Sequence, residues 1–173
     1  MVNTVINALV AFLIGGATLS FNFSAVDAAG NSQYEGSGSV ITLGENYRME
    51  TDEILVVSNG SVKGIYQKGI DEIVLLPVAP SSGADAAAPG APASGADIMD
   101  NPFALLRNPG GMYDISTMGM DAEGIPMQIV MKAKTGAVYT ISIQKYSKLP
   151  APDPSLFTLN PDDYPSAVVT DLR

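Results

Sequence analysis

Two hydrophobic periods divide this chain. Val5, Ile6, Leu9, Val10, Phe12 and Leu13 recur at helical spacing between Asn3, Thr4 and Asn7, and Gly15-Gly16 follow them. That spacing predicts an amphipathic helix stopped by the glycine pair. The stretch from Val2 to Leu19 is apolar enough to suggest a signal peptide, with Ala25-Val26-Asp27-Ala28-Ala29 as a loose cleavage site. A signal peptide opens on positive charge, however, and no Lys or Arg precedes Arg48. The glycine pair also interrupts the run before it reaches bilayer length. The expectation is therefore a buried helix of the mature fold, with any targeting signal outside this chain; a cleaved signal peptide is the alternative.

Beyond the helix the period becomes two. Leu19, Phe21, Phe23 and Ala25 alternate with Ser20, Asn22 and Ser24, as on a strand with one wet face. Gln33 to Leu43 reads as a second strand, and Gly36 and Gly38 inside it predict a bend, a bulge or a close backbone approach. Tyr47 to Thr51 and Glu53 to Val57 follow the turn at Gly44-Glu45-Asn46. Asn59-Gly60 is a strong hairpin signal, because both residues tolerate positive φ. Val62 to Gln67 and Ile70 to Pro77 continue the meander, and Pro126 to Lys134 and Ala137 to Tyr146 form a later hairpin. Short strands joined by tight turns imply an antiparallel sheet, and helices covering it make the fold class α+β.

Between these strands the composition changes. Residues 79–96 are almost wholly Ala, Pro, Gly and Ser, with Asp85 as the only charge. Such a stretch buries too little apolar area to offset its ordering, so it is expected to be a flexible loop within a single domain spanning 1–173. Asp100-Asn101-Pro102 then reads as the start of a short helix, Phe103 to Asn108, ended by Pro109-Gly110-Gly111.

Charge and missing residues narrow the function. The 173 residues carry nine Lys and Arg against 18 Asp and Glu, a formal net charge of −9. Nucleic acid demands a basic surface, so it is not an expected partner. The chain has no Cys and no His. Disulfides, thiolate nucleophiles, Ser–His triads and most transition-metal sites are therefore unavailable. The remaining catalytic candidates are the paired acids Asp52-Glu53, Asp71-Glu72 and Asp162-Asp163. Neighbours on a strand point to opposite faces, and Asp162-Asp163 lie in a Pro-flanked turn, so these read as solvated charges. No calcium-loop spacing occurs. Gly36-Ser37-Gly38-Ser39 lacks the Lys-Ser/Thr of a phosphate loop. A non-enzyme without cofactor or metal is the expectation.

Six methionines (Met99, Met112, Met118, Met120, Met127 and Met131) fall between positions 99 and 131. Methionine suits adaptable apolar surfaces. Met127, Ile129 and Met131 share one strand face, which reads by default as plain core, with pocket wall as the alternative.

Two stretches resemble the LolA-like lipoprotein carriers. The first runs from the opening helix through Leu19-Ser20-Phe21-Asn22-Phe23, the glycine-containing second strand and Tyr47-Arg48-Met49-Glu50-Thr51 to Ser58-Asn59-Gly60 and Ile65-Tyr66. In the second, Asn101-Pro102-Phe103-Ala104-Leu105-Leu106 is similar to the family's lid helix. Leu156 to Pro161, with Ala167 to Asp171, is similar to its closing strand. The family's Arg-Pro pair is not evident, Arg48 being a loose substitute, and its frequent Trp residues are absent. The resemblance implies an incomplete antiparallel β-barrel covered by the N-terminal helix and a short lid helix. It implies a periplasmic carrier that holds the acyl chains of a lipoprotein, or another lipid, in an apolar cavity for transfer to the outer membrane. Its partners would be inner- and outer-membrane lipoprotein-sorting proteins. The expected wall residues are Phe21, Phe23, Met49, Ile65, Leu75, Met127, Ile129, Met131 and Ile141. The expected lid residues are Leu9, Leu13, Phe103, Leu105 and Leu106. A lipid- or lipoprotein-sensing domain and a ligand-free scaffold or adhesion protein are the alternatives.

Overall fold

The computed structural model describes residues 2–78 and 113–173. The expected loop at 79–96 and the expected lid helix with Phe103, Leu105 and Leu106 lie outside the described residues. Helix α1 (Val2–Ile14) leads into β1 (Ala17–Val26), β2 (Ser32–Leu43), β3 (Asn46–Thr51), β4 (Ile54–Ser58), β5 (Val62–Gln67) and β6 (Glu72–Pro77). Then come β7 (Tyr113–Met120), β8 (Pro126–Ala133), β9 (Val138–Lys148), two short 3-10 turns at Pro154–Phe157 and Pro161–Asp163, and β10 (Val168–Asp171). The ten strands form one open sheet in the order β10-β6-β5-β4-β3-β2-β1-β9-β8-β7, which does not close into a barrel. All neighbours are antiparallel except β10, which runs parallel to β6.

The helix ends where its sequence stops it. Gly15 and Gly16 donate to the carbonyls of Ala11 and Leu13, and Gly16 takes φ +93°. A left-handed residue just past the last turn satisfies carbonyls that would otherwise be orphaned. The helix end is also tied to the sheet. The fully buried Thr42 hydroxyl donates to the Leu13 carbonyl, and the amide of Gly44 donates to Ile14 at 2.8 Å. Ile6, Leu9, Val10 and Leu13 are all buried against one sheet face.

A bulge sets the faces of β9. Phe21 lies opposite Ile143 but Ser20 lies opposite Lys145, so Gln144 is the extra residue. Without it, period two would turn Lys145 towards the helix. With it, Tyr146 turns inward and meets Phe12 edge-on at 5.2 Å, while Lys145 is exposed. The Tyr146 hydroxyl in turn donates to Asp121, whose carboxylate also accepts the amides of Glu123 and Ile125 in the β7–β8 turn.

The β3–β6 region is covered on its second face as well. Leu55, Val57, Ile73 and Leu75 form a separate cluster there with Leu159, flanked by Tyr66, Tyr164 and Ala167. Gly64 permits this contact: a Cβ on it would lie 2.7 Å from Leu159 Cβ. Replacing Gly64 with Ala is therefore expected to lift the C-terminal segment off the sheet. Limited proteolysis near residues 158–167 should speed up clearly; an unchanged cleavage rate would show that Leu159 repacks without leaving.

Two tyrosines, Tyr47 and Tyr146, predict an alkaline limit. Burial pushes the Tyr47 phenol up to about 12, and the bond to Asp121, followed by desolvation, does the same for Tyr146. A raised folded pKa favours the protonated form, so this stability is fully present below the unfolded value of about 10 and is lost as pH rises towards 12. The denaturant midpoint should be flat from about pH 7 to 9 and fall between about pH 10 and 12. A flat midpoint up to pH 12 would contradict it.

Candidate functional site

The face of the sheet beneath α1 is lined by inward-pointing side chains from alternate positions. They do not fill it. A cavity of about 410 Å³ lies between α1 and strands β1, β2, β3, β8 and β9, a volume inside the usual range for small-molecule sites. Its floor is Leu19, Phe21 and Phe23 of β1, with Val40 and Met49 to one side and Ile129, Met131, Ile141 and Ile143 to the other. Leu9 and Leu13 of the helix cover it.

The glycines of β2 help keep this space open. Gly36 lies opposite Phe23 and Gly38 opposite Phe21. A Cβ on Gly36 would stand 2.8 Å from the tip of the Phe23 ring, and one on Gly38 2.8 Å from the tip of the Phe21 ring. Both rings therefore lie low across the neighbouring strand instead of standing up into the cavity. The aromatic row continues from Phe23 to Tyr34, with centroids 5.9 Å apart, and Tyr34 is half exposed at the mouth. Of the bend, bulge or close backbone approach expected at these glycines, a backbone approach occurs at Gly38, from the Glu50 carbonyl, and at both glycines the nearest side chain is an aromatic ring.

The expected wall residues divide. Phe21, Phe23, Met49, Ile129, Met131 and Ile141 line the cavity, as do Leu9 and Leu13 from the helix. Ile65 packs against the same core without reaching the lining. Leu75 is 3% exposed but belongs to the cluster on the other face of the sheet, under Leu159. Met127 is 45% exposed and sits beside Gly119 at the end of the β7–β8 hairpin. Leu19, Val40, Tyr139 and Ile143 line the cavity and were not expected there. Their signal was available for Leu19 and Ile143, which keep the alternation of Phe21 and Ile141.

The cavity is apolar in its depth and charged at its rim. Glu35, Asp52 and Glu53 border it, together with Ser24, Ser37, Thr51 and Thr140. Thr51 organises the β3–β4 turn that carries two of these acids, its hydroxyl accepting the amides of Glu53 and Ile54. Arg48 points away, on the outer face, where it lies 3.6 Å from Glu50. Lys68 reaches the same carboxylate at 2.9 Å and holds its pKa below the ordinary range.

Two of the three acid pairs, Asp71-Glu72 and Asp162-Asp163, lie outside the cavity lining. Asp71 accepts the Tyr66 hydroxyl at 2.9 Å on the outer face, and Asp162 and Asp163 form a 3-10 turn capped by Asn160. Among the described residues no three acidic side chains gather as a metal site. Among them, too, no helix is long and apolar enough to cross a membrane.

An open sheet with a helix laid in its hollow and an apolar space between them defines a class of half-barrel proteins. The fold is LolA-like. It matches a LolA superfamily protein from Nitrosomonas europaea over 91% of this chain and 97% of that one, at TM-score 0.52 and 10% identity. It also matches an uncharacterized conserved protein from Thermus thermophilus over 97% of both chains, at TM-score 0.53 and 11% identity. At these identities the likeness is one of fold. No protein-family model matches the sequence. No curated protein matches it either.

Proposed function

We propose that this protein is a non-enzymatic carrier that shelters the acyl chains of a lipid or lipoprotein in the space between α1 and the sheet, and works in the periplasm. The observation that carries this reading is the cavity of about 410 Å³, walled by Phe21, Phe23, Met49, Ile129, Met131 and Ile141. An alkyl chain gains about 0.8 kcal/mol per methylene removed from water, so an apolar space of this size favours such a guest. A ligand-free scaffold has no use for such a space, since close packing would stabilise it more. The LolA-like fold supports the carrier reading over a sensor. On that reading the cargo is passed between lipoprotein-sorting proteins of the two membranes.

The test is competition. An environment-sensitive apolar probe should bind the folded protein and be displaced by an acylated peptide at far lower concentration than by the same peptide unacylated. Equal displacement by both would remove the acyl-cavity reading.

Gly36→Ala gives a second check. The atoms nearest the added methyl belong to the Phe23 ring, a movable side chain, whereas on Gly38 it would also meet the Glu50 carbonyl at 2.8 Å. Gly36→Ala should tilt the ring into the cavity and weaken the probe several-fold while changing the denaturant midpoint little. Unchanged probe affinity would show that the ring stays where it is.

A further inference from the structure

The cavity under α1 has a long axis and a closed end. Its floor, Leu19, Phe21 and Phe23, follows β1, and each residue marks one rung of the sheet: Val40 lies opposite Leu19, Gly38 opposite Phe21 and Gly36 opposite Phe23. One rung further towards the mouth, Tyr34 and Tyr139 flank Ala25 and also line the space. In the other direction the next rung is Ala17, Thr42 and Tyr47, and none of these borders the cavity. They are at most 2% exposed, and the Thr42 hydroxyl donates to the Leu13 carbonyl, so sheet and helix meet there. Tyr34, at the opposite end, is half exposed. The space is thus a blind slot about six strand residues long, roughly 20 Å at the usual rise. A volume of about 410 Å³ over that length leaves a cross-section of about 20 Å², the width of one alkyl chain.

We infer that the slot takes one acyl chain, methyl end first, and measures its length. The inference rests on the carrier reading and deepens it by fixing the number and length of the chains sheltered. The methyl end lies against Leu9, Leu13 and Val40, and the polar end emerges beside Tyr34. C–C bonds of about 1.5 Å meeting at about 111° advance an extended chain about 1.25 Å per carbon, so roughly 20 Å takes about sixteen carbons. A methylene fills about as much room as a water's share of the liquid, about 30 Å³, so the cavity volume holds about fourteen. Length and volume are separate properties, and both give one long chain. A second chain of equal length needs about twice the space, so a guest with two or three chains leaves the others outside these walls.

The experiment uses one neutral peptide carrying a single straight acyl chain of increasing length, each below its micelle concentration, to displace an uncharged fluorescent probe. Affinity should rise by about fourfold per methylene while the slot fills. It should then level off at about fourteen to sixteen carbons, where the blind end is reached. The same peptide carrying two chains of the break-point length should bind no more than about twofold tighter than with one, the statistical factor for either chain entering. Val40→Phe, at the blind end, should move the break to chains about two carbons shorter, and Leu13→Ala to chains about two carbons longer. These shifts are read from chain length and not from absolute affinity, so a partial loss of stability in either variant does not mask them. A rise that continues unbroken past about eighteen carbons overturns the inference while leaving the carrier reading intact. So does a two-chain peptide that binds tenfold tighter or more, or a break that stays in place in both variants. Failure of every acylated peptide to displace the probe overturns the carrier reading itself.

Discussion

Gly16→Ala is expected to be among the most damaging single-methyl additions to this protein, costing roughly 2–5 kcal/mol of folding stability. Two effects combine there. Gly16 takes φ +93°, a conformation that side chains with a Cβ adopt only with strain. A Cβ at this position would also stand 2.4 Å from the Leu149 carbonyl oxygen and 3.2 Å from the Pro150 Cα. Both obstacles are backbone and have little room to yield. Gly16 moreover accepts the Leu149 amide at 2.8 Å, so the residue that ends the helix also fastens the exit of β9. Gly30 provides the comparison. It takes φ +86° in the β1–β2 turn, but nothing lies within 4 Å of its Cβ position. Gly30→Ala should therefore cost only the backbone strain, about 1 kcal/mol. Denaturant unfolding of the two variants measures the close approach as their difference. A Gly16→Ala loss no greater than that of Gly30→Ala would show that the β9 exit moves aside freely.

Ile73→Ala should come next, and its contrast with Ile141→Ala separates sealed core from cavity wall. Ile73 is fully buried in the outer cluster, between Leu55, Val57, Leu75 and the covering Leu159. Truncation there leaves a void in close packing, and about 2–5 kcal/mol should be lost. Ile141 is only partly buried and already borders empty space. Its truncation enlarges an existing cavity, so the loss should be half as large or less, while probe affinity changes. Ile73→Ala should leave probe affinity untouched once folding is corrected for. Filling the space with Ile141→Trp should weaken the probe strongly. Equal stability losses at Ile73 and Ile141, with unaltered binding, would mean that the inner face is ordinary core.

How much of this was legible in the sequence varies by element. The helix was legible at both ends of the argument, because its apolar spacing and the glycine pair are local signals. Asn59-Gly60 turned as expected, with Gly60 at φ +82° and the Asn59 side chain accepting the amides of Ser61 and Val62. Strand β7 went unread, although Tyr113, Ile115 and Thr117 alternate with polar residues. Its Met-Gly-Met end blurred the pattern. Leu75 was misplaced for a physical reason. Ile73-Val74-Leu75-Leu76 is apolar on both sides, as a strand covered on both faces must be, and such a run has no period from which to tell the faces apart.

The sequence by itself determined the local elements and the chemistry that is absent. Period two made β1, glycines stopped α1, and the lack of Cys and His removed most catalytic classes before any coordinate was known. Only the tertiary structure decided what depends on neighbours distant along the chain. It joined β1 to β9, placed the bulge at Gln144 that turns Tyr146 inward, and ran β10 parallel to β6. It also laid two phenylalanine rings across two glycines and so left a hollow under the helix. An apolar residue carries the same transfer free energy whether it fills a core or lines a cavity, so the sequence alone does not distinguish the two. That distinction is a property of the space between elements, and packing alone sets it.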